Sequence, residues 1–339
     1  MRLSVLDQSP ILSGHTPAQS IHATLALARA ADRLGYHRYW LAEHHAMRGL
    51  ADPCPEILLG QVANQTVRIR VGTGGILLPY YSPLKVAEVF RMYEALFPGR
   101  IDLGIGRAPG GTLLTAQAMN ADSFGGEDRF PTQVQETLGY LDDTLPVDYP
   151  FQSVKAMPAG ATSPQVWLLG SSDFSGSLAA YLGLRFSFAH FISAHGGPAV
   201  MRAYRNDFRP AYRDPDPHCM VAVFVICAST QAEAERLAAS IDLRRLQMAR
   251  GEEDLVVTTE QALTLAGSYT EAERAIIAKE RARAVVGTPE HVRTRLLELK
   301  EQFQADEIMV VTITGDYASR MRSYELLAGA FDLAASRDE

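Results

Sequence analysis

The sequence predicts an α/β fold of the TIM (β/α)8 barrel type, with a mostly helical insertion after the seventh strand. Three observations carry that expectation. Short apolar runs alternate with longer amphipathic segments along nearly the whole chain, and the runs number eight. Four strands with three helices between them fall within residues 3–111, a density that calls for parallel strands joined by helical crossovers. The 339 residues suit one elaborated barrel or two ordinary domains, and no linker or low-complexity stretch divides them. A doubly wound sheet is the alternative, but it wants a glycine-rich fingerprint after its first strand, and "LDQSPIL" is not one. We therefore read residues 1–339 as a single barrel domain.

Taken in order, "LSVLDQSP" (3–10) reads as a strand stopped by Pro10. Residues 16–35 read as a helix, with Thr16 to cap it, Pro17 in its first turn and Gly35 past its end. "YHRYWLAEHH" (36–45) is the second strand, 55–66 a helix and "IRVGTGGILLP" (69–79) the third strand. A helix over 82–99, capped by Ser82 and stopped by Pro98-Gly99, leads to the fourth strand, "RIDLGIGRAPGG" (100–111). The alternation loosens over 112–160. It resumes with strands at 164–172, 185–192 and 219–229, each followed by a helix, at 173–183, 197–212 and 231–250. Residues 251–284 fit no strand and form the insertion. A helix at 288–304, a strand at 307–314 and a helix at 316–335 complete the count.

Composition excludes several classes. The chain is 47% hydrophobic and 21% charged, as in soluble globular proteins, and no apolar stretch approaches the roughly 20 residues that span a bilayer. "MRLSVLDQSP" has no signal-peptide core, which argues against export. Cys54, Cys219 and Cys227 form no CxxC pair and leave one unpaired in any disulfide scheme, which suits a reducing cytoplasm. A formal charge of −7 without a Lys/Arg cluster argues against a nucleic-acid footprint. The expectation is a cytoplasmic protein that handles something small.

In a TIM barrel the C-terminal strand ends build the active site, so polar and glycine residues there are informative. "LAEHH" runs an apolar strand into Glu43, His44 and His45. Side chains alternate along a strand, so Glu43 and His45 share one side and His44 takes the other. Three such neighbours cannot converge on one metal, and no second histidine cluster exists, which argues against zinc. An imidazole at the mouth can serve as a general base or bond a ligand, although a loop carbonyl can equally satisfy a structural histidine. Gly74-Gly75, in "GTGGILLP", would let backbone approach a ligand closely, or mark a bulge. Arg107, in "DLGIGRAPGG", can grip a phosphate or pair with a neighbouring loop. In "WLLGSSDFSGSLAA" a strand ends at Gly170, and Ser171, Ser172, Ser175 and Gly176 lead directly into a helix. Hydroxyls and N–H groups at a helix start make an anion site; ordinary capping needs only one of them. Together these features describe a mouth for a phosphorylated, planar cofactor.

The stretches "GYHRYWLAEHH", "VGTGGILLP", "RIDLGIGRAPG", "VWLLGSSDFSGSLAAYLGL" and "VVGTPEHV" occur in order and at family spacing, and on them the whole chain resembles the bacterial luciferase-like flavin monooxygenases. It looks closest to a flavin-linked bacterial branch rather than to true luciferases. The resemblance implies FMN, supplied reduced by a separate flavin reductase, acting with O2 on a small substrate. It implies His44 as the catalytic histidine with Glu43 as its neighbouring carboxylate, and Gly74-Gly75 as a cis-linked pair behind the flavin ring. Arg107, Ser171, Ser172, Ser175 and Gly176 match the phosphate binders, and residues 251–284 the insertion that often lids the site. It also implies a homodimer through helices near 55–66 and 83–97. Two positions depart from the luciferases: Gly106 stands where their reactive cysteine would be, and Ser171 where an acidic residue lies beside the phosphate. The charged insertion, "RGEEDLVVTTEQ", argues against a long-chain aldehyde. His190 and His195, after the sixth strand, either point into the mouth or are loop residues. The rivals are an F420-dependent hydride-transferring reductase on the same fold, a non-catalytic flavin-binding protein, and an isomerase or aldolase barrel. The last would want a lysine or glutamate base, and no predicted strand end carries a lysine.

Overall fold

The structure is a computed structural model that describes residues 1–120, 128–160, 162–193, 195–252 and 255–333. Its strands are β1 (Arg2–Asp7), β2 (Arg38–Leu41), β3 (Arg70–Thr73), β4 (Ile76–Leu77) and β5 (Ile101–Gly106). They continue with β6 (Gln165–Gly170), β7 (Arg185–Ala189), β8 (Cys219–Cys227), β9 (Ala284–Gly287) and β10 (Glu307–Val311). Every pairing between them is parallel. The order β10-β1-β2-β3-β5-β6-β7-β8 closes when β8 pairs β10, with Glu307 to Val311 opposite Met220 to Phe224. This is a TIM barrel of eight strands. β4 continues the third strand beyond Gly74-Gly75, and β9 adds to the upper half of β8.

The strands are largely apolar on both faces because each face meets a core. In β8, Val221, Val223 and Val225 pack outward against the helical layer, whereas Met220, Ala222, Phe224 and Ile226 point into the barrel. Trp40 and Trp167 fill the middle of the barrel edge to face, their centroids 5.5 Å apart. Gly72 makes room for them, since a Cβ there would lie 2.8 Å from the Trp40 indole nitrogen.

Below the tryptophans the N-terminal end is closed by charge. Arg38 donates to Asp102 at 2.8 Å, to Glu307 at 3.0 Å and to Gln165 at 2.9 Å. Arg70 reaches the other Asp102 oxygen at 2.7 Å, Trp40 donates to Asp102 at 2.9 Å, and Ser4 bonds Glu307. Burial alone would raise the Asp102 pKa, but Arg38 and Arg70 outweigh it and hold the carboxyl below the usual range.

The helices fall close to where their signals lie. Thr16 and Gln19 form a reciprocal capping box, and Gly35 ends that helix at φ 95°. Ser82 stands at the start of the helix Pro83–Leu96 but makes no capping bond with its side chain. The expected cap is thus a backbone position only. The insertion folds as helices Thr259–Ala266 and Glu271–Arg281 on the long helix Gln231–Ala249, yet it ends in the unexpected strand β9. Among the described residues no helix is long and apolar enough to cross a membrane.

Candidate active site

The C-terminal strand ends surround a cavity of about 300 Å³, at the lower end of the range that takes small ligands and cofactors. Leu6, Trp40 and Met309, inward residues of β1, β2 and β10, close it from below. Of the residues singled out in the sequence, Glu43, His44, Gly74, Gly75, Arg107, Gly170, Ser171, Ser172 and Ser175 all line it. Gly176 does not. It lies in the first turn of the helix Asp173–Leu182, where a Cβ would come within 2.8 Å of Val200, so helix packing requires its small size.

The Glu43–His45 stretch leaves β2 as a tethered loop rather than as strand. The His44 amide donates to the Asp52 carbonyl at 3.2 Å and the His45 amide to Gly110 at 2.9 Å. Glu43 and His45 do share a side: Glu43 Oε1 lies 2.7 Å from His45 Nε2 and 2.7 Å from the Tyr81 hydroxyl, and Oε2 accepts from the Leu77 amide at 2.9 Å. The Glu43 carboxylate is therefore committed to holding the segment after Gly75. His44 takes the other side, with Nδ1 buried and unpartnered. Burial, aided by the positive charge of Arg244, lowers its pKa to about 4, so the ring is neutral at neutral pH. Asp52 went unnoticed in the sequence. It is buried with Oδ2 unpartnered, and desolvation pushes its carboxyl up to about 7.

The Gly74–Gly75 peptide is cis. A Cβ at Gly74 would lie 2.6 Å from Leu6, and one at Gly75 2.7 Å from the Gly104 carbonyl, so bare backbone faces the cavity here. On the next wall Arg107 lies over the Phe174 ring, 4.3 Å from its centroid, and pairs with Asp128 at 3.0 Å. Ser172 occupies the N-cap of the helix Asp173–Leu182 without using its hydroxyl as a cap. A Cβ at Gly170 would sit 2.2 Å from Ser175 Oγ, so glycine at the strand end lets that hydroxyl lean over it. Arg107, three serines and a helix N-terminus thus share one side of the cavity, an arrangement suited to a phosphate.

His190 is buried away from the cavity, edge-on to Phe303 at 5.3 Å, and burial lowers its pKa. His195 is exposed. Wall residues that the sequence reading passed over include Gln8, Ser187, Phe191 and Ile192. The signal for Ser187 was present, because the in-out alternation of "RFSFA" turns it inward. Among the described residues no group of histidine, cysteine or acidic side chains could hold a metal ion.

The fold is a TIM barrel with a cavity at its C-terminal strand ends. Residues 1–306 match the family described as luciferase-like monooxygenase, and the chain belongs to that family of flavin-dependent monooxygenases. It is 42% identical over 331 residues to the uncharacterized protein YceB of Bacillus subtilis (strain 168), covering 98% of this chain and 99% of that one. The N-acetyl-S-alkylcysteine monooxygenase of the same organism is 36% identical over 340 residues, covering 99% and 100%. The crystal structure of apo-MsnO8 is similar, at 41% identity and a TM-score of 0.91 over 98% of each chain.

Proposed function

We propose that the protein is an FMN-dependent monooxygenase that takes reduced FMN from a separate reductase and uses O2 to oxygenate a small organic substrate. One observation carries the cofactor reading: bare peptide at Gly74–Gly75, the His44 ring and the Arg107–serine side line one cavity. FMN fits these groups by chemistry. The serine hydroxyls, the helix N-terminus and Arg107 would hold its phosphate, and the glycine peptide, which offers no side chain, would lie behind its ring. When bound, the reduced flavin supplies the electrons for oxygen activation.

The chain's own residues orient and protect. His44, whose ring lines the cavity and is neutral, can exchange a proton with a ligand there. Glu43 positions the glycine segment through Leu77 and Tyr81 rather than touching substrate. Leu6, Trp40, Phe191 and Met309 exclude water. Ile57, Met92 and Leu96, exposed on the helices Pro55–Gln65 and Pro83–Leu96, fit a homodimer through that face. Free cysteines and the net charge of −7 fit a cytoplasmic enzyme.

The test is a side-by-side fluorescence titration with FMN, anaerobically reduced FMN and F420. Tighter binding of reduced FMN, with oxygen uptake on aeration, supports the monooxygenase. Preference for F420 would move the assignment to hydride transfer, and no binding of any of the three would end it.

A further inference from the structure

The insertion packs a group of arginines against elements that line the cavity, and one of them has no carboxylate to itself. Arg281 pairs with Asp242 at 2.7 Å and with Glu235 at 3.0 Å. Arg283 pairs with Glu280 and donates to the Ile192 carbonyl. The acids around the group are thereby engaged. Arg245, half-buried on the helix Gln231–Ala249, makes one hydrogen bond, from Nη1 to the Glu280 carbonyl at 3.2 Å. Its guanidinium lies over the Phe224 ring, 4.8 Å from the centroid.

The surroundings of Arg245 tie it to the cavity. Phe224 is the next inward residue on β8 beyond Ala222, and Ala222 lines the cavity. Ile192, whose carbonyl Arg283 holds, lines it as well. Arg244, the neighbour of Arg245 in sequence, carries the charge that helps keep His44 neutral. Arg107 and the serines stand at the ends of β5 and β6, whereas this group stands over β8, three strands round the barrel from β5. The two cationic groups therefore stand over different strands of the barrel. Burial pushes the Arg245 guanidinium down to about 10, with Asp242 opposing and Arg283 and Arg281 adding to the effect. A cation desolvated on an apolar ring, with four of its five N–H groups unbonded among the described residues, has bonds left that an anionic ligand can take.

We infer that the substrate is a small organic carboxylate whose acid group is received by Arg245, while its apolar part lies along Phe191 and Ile192 toward His44. This rests on the monooxygenase reading and deepens it. Arg107 and the serines serve the cofactor phosphate, and Arg245 serves the substrate. The planar fork of a guanidinium takes a carboxylate in two parallel bonds, so the site selects an acid over its amide.

The experiment uses FMN-loaded protein and matched probes, 3-(methylthio)propanoate with its primary amide and levulinate with its primary amide. Binding is read by equilibrium dialysis and by the visible spectrum of bound FMN. The acids are expected to bind at least tenfold more tightly than the amides. Arg245→Ala should remove that preference with FMN affinity within twofold of the parent, and Arg245→Lys should keep part of it. Thermal unfolding of both variants confirms that they are folded. Equal binding of acid and amide, no binding of the acids, or a preference untouched by Arg245→Ala would overturn the inference. Failure of the parent protein to bind FMN would sink the cofactor reading instead, and dialysis of the same pairs without flavin would still decide the anion site.

Discussion

The two ends of the barrel treat polar groups in opposite ways. At the N-terminal end Arg38, Asp102, Glu307, Arg70 and Gln165 satisfy one another through bonds of 2.7–3.0 Å beneath Trp40 and Trp167. At the C-terminal end His44 Nδ1 and Asp52 Oδ2 are buried with no partner, and Ser172 leaves its hydroxyl unused as a cap. Saturated ion networks are costly to break, because removing one partner strands the others in low dielectric. Buried groups without a partner carry a desolvation cost that the rest of the fold must offset. One end therefore locks the barrel through paired charges, and the other holds the cavity.

That contrast can be broken most directly at the locked end. Arg38→Met should lower unfolding stability by about 3–5 kcal/mol, because Asp102 and Glu307 would lose their shared cation. Urea denaturation measures it, and a loss under about 1 kcal/mol would show that the network is not a lock. His44→Ala should cut turnover by about 10²–10⁴-fold while leaving urea stability and FMN affinity nearly unchanged. Collapse of FMN binding would instead make His44 structural. Arg107→Ala should weaken FMN by roughly ten- to a hundredfold, as befits a charge-assisted phosphate contact of about 1.5–3 kcal/mol. Ser172→Ala should weaken it less, by about two- to tenfold, with no change in melting temperature, since the hydroxyl caps nothing.

The smallest signal is expected in the pH dependence of stability. His44 and His218 are lowered to about 4 and His37 to about 3, in each case chiefly by burial. Each binds its proton at lower pH folded than unfolded. Between about pH 6.5 and those values the unfolded chain therefore holds more protons, and stability falls as the pH drops through that window. His37 and His218 lie near Arg38, at the locked end, and His44 at the open one. His44→Ala should flatten the slope in part and removing all three should flatten it further, while His190 and Asp52 continue to contribute in opposite senses. A slope unchanged by His44→Ala would show that this ring is not desolvated as described.

Much of the fold was legible because its signals are local. The Thr16 cap, the Gly35 stop and the eight apolar runs each depend on residues within a few positions of one another. β9 was not legible: "AVVG" is short, follows two helices, and is a strand only because the upper half of β8 offers it an open edge. At the site, Gly74-Gly75, Arg107 and the serines stood out because they end apolar runs. Gly176 stood out for the same reason, although its small size serves Val200. Arg245 did not stand out, because nothing in "LRRLQMA" tells which arginine of a charged helix faces the barrel.

What the sequence by itself determined is periodicity: eight runs that must lie between two apolar layers, helices that must cross over them, and glycines and hydroxyls where strands end. Tertiary structure decided which polar groups were closed and which left open. Arg38 is 64 residues from Asp102 and 269 from Glu307, and the three meet only when β10 pairs with both β1 and β8. The partners of a buried charge are chosen by barrel closure and register, which place the first residues of distant strands in one layer, and no local pattern encodes that choice. Glu43 and His44 are neighbours in sequence, yet one carboxylate is fully bonded and the next imidazole has an unpartnered nitrogen. Alternation set them on opposite sides, and the loops packed on each side decided which of them kept a free hand.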